Sequence, residues 1–232
     1  MVITVDGPAA AGKSTVARAL AARLGFDYLD TGAMYRAATW RALGQRVPMD
    51  DAEALARCAA EAEIDLLPGP DGARVFCDGR EVTAEIRRPE VTANVFRVAD
   101  QPPARAALIE QQRRYAQGRN LVSEGRDQGT EVFPDAEVKF YLDASIEARA
   151  ARRMADLVRM GIETPAEDVR RQLSERDARD RARPVGALKQ SDDMIAVDST
   201  CMSVDQVVSK MMQTVAARSE SGTGARRCRQ GP

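Results

Sequence analysis

Val2-Ile3-Thr4-Val5-Asp6-Gly7-Pro8-Ala9-Ala10-Ala11-Gly12-Lys13-Ser14-Thr15 is the stretch on which the rest of the chain turns. Its second half fits the phosphate-loop pattern G-x-x-x-x-G-K-[ST]. The context fits as well. An apolar β-branched run, Val2 to Val5, predicts a buried strand leading in, and the periodic segment Thr15 to Leu24 predicts a helix leading out. Glycine at 7 and 12 lets the backbone wrap closely enough to aim N–H groups at phosphate oxygens. The helix N-terminus adds partial positive charge. In such a loop Lys13 reaches the β- and γ-phosphates and the Ser14 hydroxyl holds Mg2+. Gly7, Pro8, Ala9, Ala10, Ala11, Gly12, Lys13, Ser14 and Thr15 are therefore the candidate nucleotide-binding set, and Ser14 the candidate metal ligand.

Working outward, strand and helix signals alternate. Tyr28 to Arg36 reads as a strand end and a helix start, with a helix over 33–43. Asp50 and Asp51 can cap a helix over 52–62. Short strands at Ile64–Leu67 and Arg74–Cys77, around the turn Pro68-Gly69-Pro70-Asp71-Gly72, predict a small antiparallel excursion. Two helices follow, over 89–100 and 102–117, the second opened by prolines at 102 and 103. Strands are predicted at 121–124, 138–142 and 194–197. The helices between and after them are 146–160, 164–181 and 204–217. This alternation predicts a parallel sheet covered by helices on both faces. Residues 218–232 are small, polar and basic, and predict a disordered tail.

Composition removes several classes of chemistry. The chain has 232 residues and no histidine, so His-based acid–base catalysis and most transition-metal sites are excluded. Its 34 basic and 35 acidic residues leave a net charge of −1, which gives no field for nucleic acid. No apolar run approaches a membrane span and no signal segment precedes the first strand, so a cytoplasmic protein is expected. Cys58, Cys77, Cys201 and Cys228 are scattered, which suits reduced thiols.

A phosphate loop alone does not separate kinase, GTPase and motor ATPase. The guanine motif N-K-x-D and the switch motif D-x-x-G do not occur. Phe140-Tyr141-Leu142-Asp143 is the nearest approach to a motor's acidic strand end. Asp143 would touch the metal network there, or cap the following helix. The arginines say more. Arg176, Asp180 and Arg183 share one helical face, with Arg179 beside them and Arg181 pointing elsewhere. Arg126 and Asp127 lie at a strand's carboxyl end, where ligands collect in open parallel sheets. Solvated surface charge is the alternative for any one of these arginines.

The strings ITVDGPAAAGKST, LDTGAMYRA, SEGRDQGTEVFPDA, FYLDAS, SERDARDRAR and VDST, in that order, resemble the bacterial cytidylate kinases. The resemblance runs from about Val2 to Ala217. It implies a core (about 1–36, 118–158 and 187–217), an NMP-binding insert with a small sheet (about 37–117) and a short helical lid (about 159–186). It also implies ATP with Mg2+ as donor and CMP or dCMP as acceptor. By motif, Thr31 would touch the bound nucleotide, Arg36, Arg105 and Arg126 would hold the acceptor phosphate, and Asp127 would contact the acceptor nucleoside. Arg176 would contact cytosine or phosphates, Asp180 the sugar hydroxyls, and Arg183 the transferring phosphate; Asp30 would support the metal or the loop. Lys13, Arg126, Arg176 and Arg183 are the implied catalytic set. No nucleic-acid or membrane partner is implied, and a monomer is expected. One departure stands out: Phe96 falls where the family usually carries a serine that recognises the base. Phe96 would stack on the ring or pack in the core.

Two other readings fit parts of the sequence. One is a related phosphate-loop kinase for UMP or a small-molecule alcohol. The other is a nucleotide-regulated module without chemistry, against which Lys13, Arg126 and Arg183 argue.

Overall fold

The computed structural model describes residues 1–69 and 72–227. Five strands form one parallel sheet: β1 (Val2–Asp6), β2 (Asp27–Asp30), β6 (Leu121–Gly125), β7 (Val138–Asp143) and β8 (Ile195–Asp198), in the order β2-β6-β1-β7-β8. Register places Asp6 beside Gly125 on one flank and Tyr141 on the other. The carboxyl ends of the three central strands are therefore level, and the loops leaving them share one rim.

The hydrophobic pattern explains the two covered faces. Ile3, Val5, Val122 and Phe140 point one way and pack on α1 (Lys13–Leu24) and α8 (Val204–Arg227) through Val16, Leu20, Val208 and Met211. Leu29 and Leu121 point the other way and meet Ala33, Met34 and Ala37 of α2 (Thr31–Gly44). The central strands are buried on both faces, which is why they read as continuous apolar runs.

The chain between α2 and β6 is the predicted antiparallel excursion and its helices. It holds α3 (Ala52–Glu61), then β3 (Ile64–Gly69), β4 (Gly72–Cys77) and the two-residue β5 (Arg80–Glu81) as one antiparallel sheet. A 3-10 turn at Glu85–Arg87, α4 (Pro89–Ala99) and α5 (Pro102–Ala116) follow. Pro70 and Asp71 of the predicted turn lie outside the described residues. After β7 come α6 (Ile146–Arg159) and α7 (Ala166–Ala182).

Two local expectations need correction. Helix α2 begins at Thr31, not 33, because the Asp30 carboxylate accepts the Ala33 N–H at 2.9 Å and caps it. Beyond what the sequence reading covered, Gln128–Val132 form a π-helical turn. The buried Asp6 carboxylate accepts the Gln128 and Gly129 N–H groups at 2.8 Å each, which satisfies the first donors of the turn. Finally, α8 runs on to Arg227, into the segment predicted as a disordered tail. Extending a helix already nucleated by packed turns costs little. Residues 228–232 of that tail, Cys228 included, lie outside the described residues. Cys58 and Cys77 are buried and free, Cys201 exposed and free. Among the described residues no helix is long and apolar enough to cross a membrane.

Candidate active site

The loop between β1 and α1 turns on two glycines. A Cβ on Gly7 would lie 2.0 Å from the Leu142 carbonyl oxygen, so only glycine lets β1 leave the sheet against β7. Gly12, at φ 93°, adopts the left-handed conformation directly before α1. Lys13 opens that helix and folds back across the loop, its Nζ donating to the Pro8 carbonyl at 2.8 Å. Burial lowers the Lys13 pKa to about 7. Arg126 and Arg176 push the same way, against Glu124 and Asp6. Burial likewise raises Asp6 to about 7, against its two backbone hydrogen bonds.

Beside the loop, the Ser14 hydroxyl donates to Glu124 Oε1 at 2.6 Å, and the Tyr28 hydroxyl reaches the same oxygen at 3.3 Å. Thr31 Oγ1 donates to the Glu124 carbonyl at 2.7 Å, which ties α2 to the end of β6. Burial and the nearby Asp30 raise the Glu124 carboxyl, while Lys13 opposes them. A hydroxyl and a carboxylate are hard oxygen donors, suited to Mg2+ rather than a soft metal. Sequence reasoning passed over Glu124. Its signal was an acidic residue closing the strand next to the loop strand. Asp30 is occupied as the α2 cap. Asp143 accepts from its neighbour Ala144 at 2.8 Å and lies outside the cleft; Ser145, not Asp143, caps α6.

The predicted donor- and acceptor-side residues, Gly7 and Pro8 excepted, line one cleft of about 1820 Å³. Asp180 sits between two arginines in it. Arg126 Nε donates to its Oδ2 at 2.8 Å and Arg183 Nη2 to its Oδ1 at 2.5 Å. Arg183, just past the end of α7, also donates to Asp100 at 2.6 Å. Arg105 pairs with Asp127, both buried. Gly186 packs over this pair, where a Cβ would fall 2.0 Å from Arg105 Nη2. Arg36 donates to Thr92 at 2.8 Å and has no acid partner among the described residues. Arg176 makes no hydrogen bond or ion pair among the described residues, and neither does Arg153 of α6, which sequence reasoning missed. Burial and the neighbouring Arg126 push Arg176 down to about 10, with Arg36 and Arg153 adding to the effect. Phe96 of α4 also lines the cleft. Arg179 lies over its ring at 4.6 Å, so it is no core residue.

Half-buried arginines without an acid partner beside a phosphate loop form a cleft built for more than one anion. A family model described as cytidylate kinase matches residues 3–217. The chain belongs to the cytidylate kinase family. It is 46% identical to a cytidylate kinase from Rhodopirellula baltica, over 93% of this chain and 92% of that protein. It is 43% identical to a cytidylate kinase from Ligilactobacillus salivarius, over 93% and 96%. Among solved structures, a protein from Eubacterium ventriosum superposes with a TM-score of 0.51 at 10% identity, over 93% of this chain and 98% of that one. That likeness concerns the fold alone. Within the cytidylate kinase family, the loop, the level strand ends and the arginine-rich α7 of this chain occupy one continuous site.

Proposed function

We infer that the protein transfers the γ-phosphoryl group of ATP to CMP or dCMP, giving ADP and CDP or dCDP. The observation that carries this reading is the convergence of Lys13, Arg36, Arg153 and Arg176 on one cleft without a carboxylate for each. Phosphoryl transfer needs two anions brought in line, their repulsion cancelled and water kept out. The loop from Gly7 to Thr15 holds the donor, with Lys13 on its β- and γ-phosphates. Ser14 would hold Mg2+ with Glu124 behind it, and the ion would supply charge neutralisation at the triphosphate.

Thr31, Arg36, Arg105 and Arg126 face the acceptor nucleotide, with Asp127 beside its nucleoside. Arg176 and Arg183 span the transferring group, and Asp180 accepts from the sugar hydroxyls after releasing its arginines. The segment 37–117 acts as the acceptor-binding insert and 159–186 as the lid. Asp100 to Arg183 and Phe96 to Arg179 are two of the contacts between them. Closure of these two parts over the core excludes water and prevents idle ATP hydrolysis. The enzyme works as a cytoplasmic monomer.

A panel of CMP, dCMP, UMP and AMP with Mg·ATP, read by ADP release, tests the reading. CMP and dCMP are expected to turn over fastest. Preference for UMP would favour a different acceptor and place base choice on the Phe96 ring. No turnover with any acceptor would end the proposal.

A further inference from the structure

The two successive peptides that flank Ala9 in the phosphate loop are each held by a side chain, one acidic and one basic. Asp177 of α7 accepts the Ala9 N–H through Oδ1 at 3.2 Å. Arg149 of α6 donates through Nη1 to the Ala9 carbonyl, also at 3.2 Å. The two side chains pair with each other at 2.5 Å, and Arg149 Nε donates to the Ala144 carbonyl at 3.0 Å. Both are buried, at 8% and 3% side-chain exposure. The Ala9 methyl packs among Ala150, Leu157, Val169 and Leu173 of the same two helices. A buried pair contributes little net stability over well-packed apolar groups. Its distinctive effect here is on the orientation of Ala9.

Helix α7 therefore has two working stripes. Val169, Leu173 and Asp177, four residues apart, face the loop. Arg176 and Asp180 face the cleft, and Arg183 continues that side. A rigid helix that touches both places transmits a shift at one to the other. The next loop residue, Ala10, has a φ of 60°, a left-handed turn unusual for alanine. The direction of the N–H groups after it depends on how the peptides flanking Ala9 are anchored.

We propose that Asp177 and Arg149 are positioning residues that fix the two peptides flanking Ala9 and couple α7 to the donor phosphates. The proposal rests on the reading of the loop as the ATP site. Asp177 occupies the Ala9 N–H, so the later N–H groups of the loop are the ones aimed at phosphate. Without the pair, the peptides on either side of Ala9 are free to rotate and the loop loses its preorganised form.

The test uses the full chain with three variants: Asp177→Asn, Arg149→Lys, and the double change Asp177→Leu with Arg149→Met. The double variant replaces the pair with apolar groups of similar size and keeps the fold where a single change leaves a lone charge. Calorimetry gives the Kd for ATP without acceptor, and initial rates give KM for ATP and CMP. In Asp177→Asn and the double variant, Kd and KM for ATP are expected to rise about tenfold, with KM for CMP within about twofold. Arg149→Lys keeps the charge without the fork and is expected to fall between these and wild type. A folded double variant with wild-type ATP affinity overturns the proposal. So does an equal rise in both KM values. Wild-type protein that binds no ATP would defeat the donor-site reading itself, a result the unsubstituted control separates from the other two.

Discussion

Arg126, at the end of β6, donates its Nε to Asp180 Oδ2 of α7 at 2.8 Å, across 54 positions of sequence. With Arg183 on the other carboxylate oxygen, Asp180 keeps two cationic side chains apart and oriented before any nucleotide arrives. Burial raises the Asp180 pKa, but Arg126, Arg183 and Arg176 outweigh it and hold the group below its usual value.

Asp180→Asn is expected to lower kcat/KM for CMP on the order of 100-fold through misplaced arginines, with a smaller change in ATP affinity. Stability gives a second readout. A carboxylate with a lowered folded pKa contributes stability above its unfolded value of about 4, and loses it as pH falls further. Urea unfolding between pH 6 and 3 should show a steeper acid loss in wild type than in the variant. Equal slopes would contradict the pairing.

Burial and its arginine neighbours lower the Lys13 pKa without ligand, which weakens its hold on a proton near neutral pH. Triphosphate restores the charge. Binding of ATP at pH 8 should therefore take up protons, seen as a dependence of calorimetric enthalpy on the buffer's ionisation heat. Lys13→Met should abolish the uptake and lower kcat by roughly a thousandfold. Buffer-independent enthalpies in wild type would refute the assignment.

Glu124 receives the Ser14 hydroxyl at 2.6 Å. Glu124→Gln keeps the shape and removes the charge behind the metal. The Mg2+ concentration for half-maximal rate is expected to rise at least about tenfold, with KM for CMP little changed. Titration of the rate with Mg2+ at fixed ATP measures this; an unchanged midpoint removes Glu124 from the metal site.

Gly7→Ala would set a Cβ 2.0 Å from the Leu142 oxygen, a backbone atom in a central strand that cannot swing aside. The loss should be about 3 kcal/mol or more, read as a falling urea midpoint. Gly25 offers the control for open space, since no heavy atom outside its chain neighbours and helix backbone lies within 4 Å of a Cβ there. Gly25 is itself left-handed at φ 67°, so an alanine there is strained as well, but by a smaller amount. Equal losses at the two positions would mean that the approach of β7 is not what requires glycine at 7.

The sequence by itself determined the strand–loop–helix, the alternation that makes a parallel sheet, and the stripe of charge on α7. These depend on neighbours within a helical turn or on strict alternation, so they can be read from local order. The same order marked Arg36, Arg126, Arg176 and Arg183 as cations, and only the family resemblance, not local pattern, said what each would face. Only the tertiary structure decided that Asp6 grips the π-turn at Gln128, that Glu124 and not Asp143 stands behind Ser14, and that Asp177 reaches Ala9 across 168 positions. Those contacts join separate elements at the sheet's rim. They follow from sheet order and register, which place the ends of β1, β6 and β7 side by side, and no local pattern encodes that adjacency.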